Sequence, residues 1–277
     1  MSEAPQRRQV TTHQGQVLRT ERLTPHMIRV VIGGGLVQFA TRGFTDHYVK
    51  LLFPRDGVTY PEPFDVGAIR EALPREQWPL TRTYTVRAWD PQARELTIDF
   101  VYHGAKGVAG PWAVAARPGD PVHFGGPGGG YAPDDDADWH LLAGDESALP
   151  AIAATLESLP DDVPVQVFIE VAGPEEEQKL RVPDRAVVRW LHRGGRPVGA
   201  ALAEAVRGAP FLPGTPQVFA HGEANLIKEL RRYLRVERGL DRAHLSVSGY
   251  WRVGADEDAW QAGKWEWNAA VEADSGA

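Results

Sequence analysis

The sequence predicts a β-barrel followed by a doubly wound α/β domain. Three observations carry this reading. Residues 1 to about 125 hold six short strand-like runs separated by turn residues, with little helical periodicity. From residue 138 onward, strand-like runs alternate with apolar stretches of helical length, the βαβ rhythm of a parallel sheet. Between them, residues 126–137 (GPGGGYAPDDDA) have the composition of a linker. The two units are therefore expected at 1–127 and 128–277.

The runs of the first half are 14–21, 26–32, 47–53, 81–89, 95–103 and 121–124. Six antiparallel strands of this length suit a small closed barrel. In 95–103, Leu96, Ile98, Phe100 and Tyr102 alternate with Thr97, Asp99, Val101 and His103, so one face is apolar. Asp90-Pro91-Gln92-Ala93 is a turn sequence and makes 81–89 and 95–103 a hairpin. Residues 55–78 are Pro-rich and charged and read as a long loop or a short helix. Residues 107–116 supply one or two helical turns. In the second half, strands are expected at 139–143, 163–171, 186–191, 216–220 and 244–248, with helices at 148–159, 198–206 and 224–235. Trp260, Trp265 and Trp267 make the tail aromatic, as for a helix folded against the body.

Composition narrows the chemistry. With 277 residues and 43% hydrophobic content, the chain can build one or two full cores. It has no cysteine, which excludes disulfides, thiolate metal sites and cysteine-ligated iron–sulfur clusters. Electrons in a redox reaction would rest on a bound organic cofactor or on a metal brought by the substrate. The net charge of −7, without a basic stripe, argues against nucleic acid. No run approaches the roughly 20 apolar residues of a membrane span. The start, MSEAPQRRQV, has no apolar signal core. A cytoplasmic monomer is expected. The nine histidines show no metal-ligand spacing, so no protein metal site is expected.

The hexapeptide Arg82-Thr83-Tyr84-Thr85-Val86-Arg87 is the most informative segment. A cation for a phosphate, a flat ring to stack on and a hydroxyl for a ring nitrogen are what a flavin nucleotide needs. An ordinary exposed strand is the alternative. On a strand, Arg82 and Tyr84 share a face and Thr85 points away unless the backbone bends. The loop after the hairpin, His103 to Ala113, is rich in glycine and leads into a helix start, where amides attract phosphate oxygens. A plain Gly-rich loop is the competing reading.

Parallel sheets bind nucleotides beyond the carboxyl ends of their strands. Gly144-Asp145-Glu146-Ser147, Glu170 to Gly173 and His221-Gly222-Glu223 fall there. No Gly-x-Gly-x-x-Gly stands between a strand and a helix. Ser147 either reaches the nicotinamide or flavin edge or caps the following helix. Glu170 either bonds a ribose hydroxyl, which would disfavour a 2′-phosphate and lean toward NADH over NADPH, or faces solvent.

Eight segments together resemble the siderophore-interacting protein family, flavin-dependent ferric-siderophore reductases of the ferredoxin–NADP reductase-like group. They are DHYVKLLFP from Asp46, RTYTVR from Arg82, IDFVYHG from Ile98, GVAGPWA from Gly107, GPGGGY from Gly126, GDESALPAI from Gly144, HGEANLIKELRRYL from His221 and SGYWRVG from Ser248. GDESALP followed by SGYWR is the most specific combination. The resemblance implies an FAD-binding barrel and an NAD(P)H-binding α/β domain. NADH or NADPH would reduce FAD, and FAD would reduce siderophore-bound Fe(III) to Fe(II) in the cytoplasm.

By the same resemblance, Arg82 pairs with the FAD phosphates or ribityl region, Tyr84 packs on the isoalloxazine and Thr85 bonds near N5. Tyr84, Thr85 and Ser147 form the catalytic group. Asp99, Val101 and His103 line the ribityl and phosphate path, and Gly107, Val108, Ala109, Trp112 and Ala113 close on the pyrophosphate. Gly144, Asp145, Glu146, Ser147, Glu170, Gly222 and Glu223 belong to the nicotinamide dinucleotide.

Lys50 and Arg252 are candidates for the anionic chelate, with a solvated barrel lysine as the alternative for Lys50. Trp251 either shields the flavin or packs between the domains. His103 is also placed for a structural role on the barrel rim. Where some members carry an arginine after the linker Gly-Pro, this chain has Gly128. That implies weaker preference for highly charged catecholates, or a hydroxamate or mixed ligand. Two other functions stay open: a flavin reductase serving a protein partner, and a siderophore-binding protein without catalysis.

Overall fold

The computed structural model describes residues 11–274. Its first half is a closed antiparallel barrel of β1 (Thr12–Thr24), β2 (Met27–Gly33), β3 (Tyr48–Phe53), β4 (Leu80–Asp90), β5 (Glu95–Val101) and β6 (Pro121–Gly128). The strand order is β1-β2-β5-β4-β3-β6. All six expected strands are present. Alternate residues turn inward, so Val30, Ile32, Val49, Leu51, Leu96, Ile98, Phe100 and Phe124 fill the interior and are almost wholly buried. The turn at Asp90 forms because its carboxylate accepts from the amides of Gln92 and Ala93.

The stretch 55–78 contains α1 (Val66–Ala72), capped by Asp65, whose carboxylate accepts from Ala68 N. Ile69 and Val66 pack there on Leu52 and Phe64. The helix expected at 107–116 is α2 (Ala109–Ala115), and its Trp112 plugs the barrel against Phe53 and Phe100.

One feature of the pairing positions the site. β4 pairs with β5 only along Val86–Asp90. Upstream, Leu80–Thr85 pair with β3 alone. The end of β5, Asp99–Val101, pairs with β2 alone. The two strands of the hairpin therefore part beyond Val86 and leave a crevice in the barrel wall between Arg82–Thr85 and Phe100–His103.

The second half is a parallel sheet with order β11-β10-β7-β8-β9, built from β7 (Trp139–Gly144), β8 (Val165–Val171), β9 (Ala186–His192), β10 (Pro216–Glu223) and β11 (Leu245–Trp251). Its helices are α3 (Leu149–Ser158), α4 (Ala200–Gly208) and α5 (Ala224–Arg232). β7 is buried at every position, as a central parallel strand must be. The chain runs from β7 outward to β8 and β9, then returns to place β10 and β11 on the other flank. The strand order thus reverses between β7 and β10, where such sheets open to ligands. The tail forms α6 (Glu257–Asp274), started by Asp256, which accepts from Ala259 N.

Side chains join the halves. Arg87 on β4 makes two hydrogen bonds to Glu157 on α3. Thr155 Oγ1 donates to Thr45 Oγ1 at 2.8 Å in a buried contact. Glu176, buried after β8, accepts from Thr24 Oγ1 at 2.5 Å and from His26 N at 3.2 Å, with His26 Nδ1 at 2.5 Å.

Candidate functional site

The crevice between β4 and β5 carries the hexapeptide on one lip. Tyr84 is half-buried, its ring tilted on Phe100 at 4.4 Å between centroids. Its hydroxyl has no hydrogen-bond partner among the described residues, and burial pushes its pKa up. Arg82 Nη1 donates to Thr81 O at 2.7 Å and to Asp258 Oδ2 of α6 at 3.2 Å. Thr85 lies on the opposite face, paired across β3 with Tyr48. It is buried, and its hydroxyl also lacks a partner among the described residues.

Below the crevice, Gly107 takes φ +81° with open space where a Cβ would stand. The start of α2 has no side-chain cap and no acidic residue in its first turn. Free amides at the start of α2, with the Arg82 guanidinium and Tyr84 hydroxyl on one face of β4 and the unengaged Thr85 hydroxyl on the other, are groups that suit a flavin dinucleotide. His103 stands exposed at the slot's far end. Desolvation pushes its pKa down, and its neighbours His26 and Arg193 add to the shift.

Several residues expected on this path are turned away from it. Asp99 sits opposite Arg29 in the β2–β5 register and is held by it in two hydrogen bonds, at 2.7 and 2.8 Å. Ala109, Trp112 and Ala113 face the barrel core, so α2 can offer a pyrophosphate only its backbone. Val101 packs against the core of the second domain, near Met27 and Tyr131. Val108 is half-buried at the barrel end.

At the sheet edge, Asp145 is the centre. Its Oδ1 accepts from Ser147 N at 2.9 Å and Ser147 Oγ at 2.5 Å. Its Oδ2 accepts from Glu223 N at 2.9 Å and Trp251 Nε1 at 2.8 Å. Burial pushes its pKa up, and these hydrogen bonds oppose the shift. One carboxylate thereby ties together the ends of β7, β10 and β11. Two glycines allow it. A Cβ on Gly222 would lie 2.7 Å from Asp145 Oδ2. One on Gly144 would lie 2.5 Å from the Ala148 Cβ.

The remaining carboxylates are likewise engaged within the protein, contrary to the expectation that they meet the nucleotide. Glu146 forms two hydrogen bonds with Arg193 Nη2. Glu170, fully buried, accepts from Gly199 N and Leu202 N at the start of α4 and from Arg193 Nε. It therefore faces neither solvent nor a ribose, and the lean toward NADH that rested on it falls. Glu223 caps α5 through Asn225 N and Leu226 N and accepts from Val253 N. Ser147 is not the cap of α3, a position taken by Ala148. Trp251, held by Asp145, is a half-buried side chain of the β11 end.

Arg193 and Lys264 went unnamed in the sequence reading, and His221 was named there only as part of a strand-end loop. Arg193 binds Glu146 and Glu170 together, and only the fold brings these three into contact. His221 is buried, stacked on Phe219 at 4.0 Å and near Tyr250 at 4.7 Å, with Nε2 2.9 Å from Ser246 Oγ. Burial lowers its pKa to about 3, with Lys264 pushing the same way. Lys264 projects from α6; burial lowers its pKa, Glu257 opposes this and Lys50 adds to it. Lys50 and Arg252 are exposed and have no side-chain partner among the described residues. Among those residues, no three histidines, aspartates or glutamates gather to hold a metal, and no helix is long and apolar enough to cross a membrane.

Comparison with known proteins agrees with this geometry. Residues 16–131 match the model of a siderophore-interacting FAD-binding domain, and residues 137–254 that of a siderophore-interacting protein. The chain is 48% identical over 279 residues to an uncharacterized protein of Mycobacterium tuberculosis, covering 95% of this chain and 97% of that one. It is 33% identical to the ferric vibriobactin reductase ViuB of Vibrio cholerae, covering 88% and 90% of the two chains. With the NADPH-dependent ferric-chelate reductase of Escherichia coli it shares 32%, covering 86% and 91%.

A siderophore utilization protein from T. fusca superposes with TM-score 0.78 at 38% identity, over 89% of this chain and 95% of that one. The ferredoxin-NADP+ reductase of Plasmodium falciparum shares the fold alone, at 10% identity and TM-score 0.63 over 86% and 96%. With both halves matched in order by one family's models and a barrel slot suited to FAD, the chain belongs to the siderophore-interacting protein family.

Proposed function

We propose that this protein is an FAD-dependent ferric-siderophore reductase. NADH or NADPH would supply electrons, and siderophore-bound Fe(III) would leave as Fe(II) in the cytoplasm. The observation that carries the reading is the parting of β4 from β5 opposite the open edge of the parallel sheet. His103 at the crevice end lies near enough to Arg193 and Asp145 of the sheet edge to feel their charge, which supports two adjoining nucleotide sites. The relatives named as ferric vibriobactin reductase and NADPH-dependent ferric-chelate reductase support it. We further infer that 1–127 acts as the FAD-binding unit and 128–277 as the NAD(P)H-binding unit.

In this reading Arg82 holds a phosphate, with the amides of Gly107, Val108 and Ala109 below it. Tyr84 presents its ring edge and hydroxyl to the flavin, Thr83 holds the strand beside it, and Thr85 donates near the ring nitrogen. Gly144 and Gly222 leave room for the nicotinamide, and Ser147, steadied by Asp145, stands beside it. Bound FAD accepts two electrons as hydride and delivers them singly.

Ferric ion is held by hard oxygen donors, and the added electron weakens that hold by lowering the charge on iron. No general base is required. That matches a site whose carboxylates are tied into the scaffold. Lys50 and Arg252 would attract the anionic chelate to an acidic protein.

The test is the absorption spectrum of the purified protein, followed anaerobically by NADH, then NADPH, then a ferric siderophore with a ferrous trap. A flavin spectrum that bleaches with pyridine nucleotide and recovers with trapped Fe(II) is expected. Bleaching without iron reduction would point to a reductase for another acceptor. A colourless protein that takes up no FAD would overturn the reading.

A further inference from the structure

We infer that Tyr48, lying across Gly128, is a stacking platform that selects ferric chelates bearing an aromatic ring. The inference rests on the reductase reading and names the substrate class of that site. Tyr48 is 37% exposed. It faces Thr85 in the β3–β4 register and Gly128 in the β3–β6 register. A Cβ on Gly128 would stand 2.3 Å from Tyr48 Cζ and 2.5 Å from its hydroxyl oxygen. The ring therefore lies directly on the glycine, and position 128 has no room for a longer side chain while it stays there.

The platform is held from beneath. Asp46 Oδ1 accepts from Gly130 N at 2.8 Å and Tyr131 N at 2.9 Å. His47 Nδ1 lies 2.9 Å from Gly128 O, an acceptor, while its Nε2 accepts from Arg42 N at 2.8 Å. The ring is thus the neutral tautomer that donates from Nδ1. Asp46 and His47 clamp the 128–131 segment to the start of β3, so Gly128 stays beneath Tyr48.

On the same strand face, two residues along, is Lys50, whose ammonium has no partner among the described residues. Lys264 of α6 is close enough for its charge to be felt there. An exposed flat ring beside Thr85, with the Lys50 ammonium two residues along the same face, recognises an aryl ligand carrying negative charge, a phenolate or catecholate iron donor.

Two neutral complexes with the same donor atoms isolate the ring from the charge: gallium(III) tris(benzohydroxamate) and gallium(III) tris(acetohydroxamate). Gallium(III) is not reduced under these conditions, so binding is read without turnover. Flavin-loaded protein is titrated with each complex, with free ligand alone as the blank. Wild type is expected to favour the benzohydroxamate complex by roughly 5-fold, the scale of one aromatic contact. Tyr48→Ala abolishes the preference and Tyr48→Phe keeps it. Gly128→Ala, whose added methyl displaces the ring, loses it as Tyr48→Ala does.

Equal affinities in wild type, or an unchanged preference in Tyr48→Ala, would overturn the proposal. So would loss of FAD from Tyr48→Ala, which would assign the ring to the flavin. Failure of the reductase reading appears separately, as absence of pyridine-nucleotide-driven reduction of the ferric benzohydroxamate complex.

Discussion

Arg82 of the barrel and Asp258 of the C-terminal helix share a hydrogen bond of 3.2 Å. They stand 176 residues apart in sequence. α6 is thereby docked on the lip of the dinucleotide slot through the cation assigned to the FAD phosphates. Trp260, buried against Gly249, and the pairing of Arg231 and Arg242 with Glu272 anchor the rest of the helix.

Asp258 and a phosphate compete for one guanidinium. Asp258 is 60% exposed, so the pair contributes at most about 1 kcal/mol. Asp258→Asn should tighten FAD binding by roughly 3- to 5-fold, the affinity equivalent of that energy. Fluorescence titration of the apoprotein with FAD measures it. Weaker FAD binding in the variant would mean that Asp258 orders Arg82 for the phosphate rather than competing for it.

Asp145→Asn should destabilise the protein. Each carboxylate oxygen accepts from two donors, so an amide must aim its NH2 at two N–H or O–H groups. The cost is about 3 kcal/mol, which lowers Tm by roughly 8 °C. The KM for the pyridine nucleotide should rise with it, because Ser147, Glu223 and Trp251 lose their common acceptor. A melting curve unchanged from wild type would show that Asp145 is protonated in the native state.

Glu176→Ala removes the acceptor shared by Thr24 and His26 and leaves their donors without it at the seam between barrel and sheet. A loss of about 2 kcal/mol is expected. Hydride transfer should slow because the two nucleotide sites are no longer held in register, and stopped-flow reduction of the flavin at saturating NADH or NADPH reads this. A fall in Tm with an unchanged transfer rate would restrict Glu176 to stability.

His221 should make the protein acid-sensitive. Its native pKa of about 3 lies below the ordinary value of 6.5. Between these values the unfolded chain binds a proton that the native state does not. Its contribution is therefore intact above about pH 6.5 and is lost as pH falls toward 3, reaching about 3 kcal/mol by pH 4. His221→Gln, which keeps a donor for Ser246, should show a smaller drop in Tm between pH 7 and pH 4. Equal drops would show that native His221 takes up the proton.

Much of the fold could be read along the chain because it depends on local rules. Strand alternation from Leu96 to Tyr102, the Asp90 turn and the β/α rhythm after residue 138 each concern neighbours within a few positions. The hexapeptide at Arg82 stands out in the sequence for the same reason. Glu170 was misread because its partners, Gly199, Leu202 and Arg193, arrive from later elements. No local pattern distinguishes a carboxylate that meets a ribose from one that caps a helix beneath the surface. Trp112 and Asp99 were assigned to the flavin path by segment, and the segment does not say which face a side chain takes once α2 plugs the barrel.

The sequence by itself determined the two architectures, their order and the absence of thiol chemistry, and it singled out the segment proposed to address a flavin. These follow from periodicity, composition and short motifs, which act over a few residues. Tertiary structure alone decided where the barrel wall opens, which carboxylates are engaged inside the protein, and that Tyr48 lies on Gly128 while Asp258 reaches Arg82. Those outcomes depend on strand register and domain docking, where one residue's slip would turn every side chain to the other face.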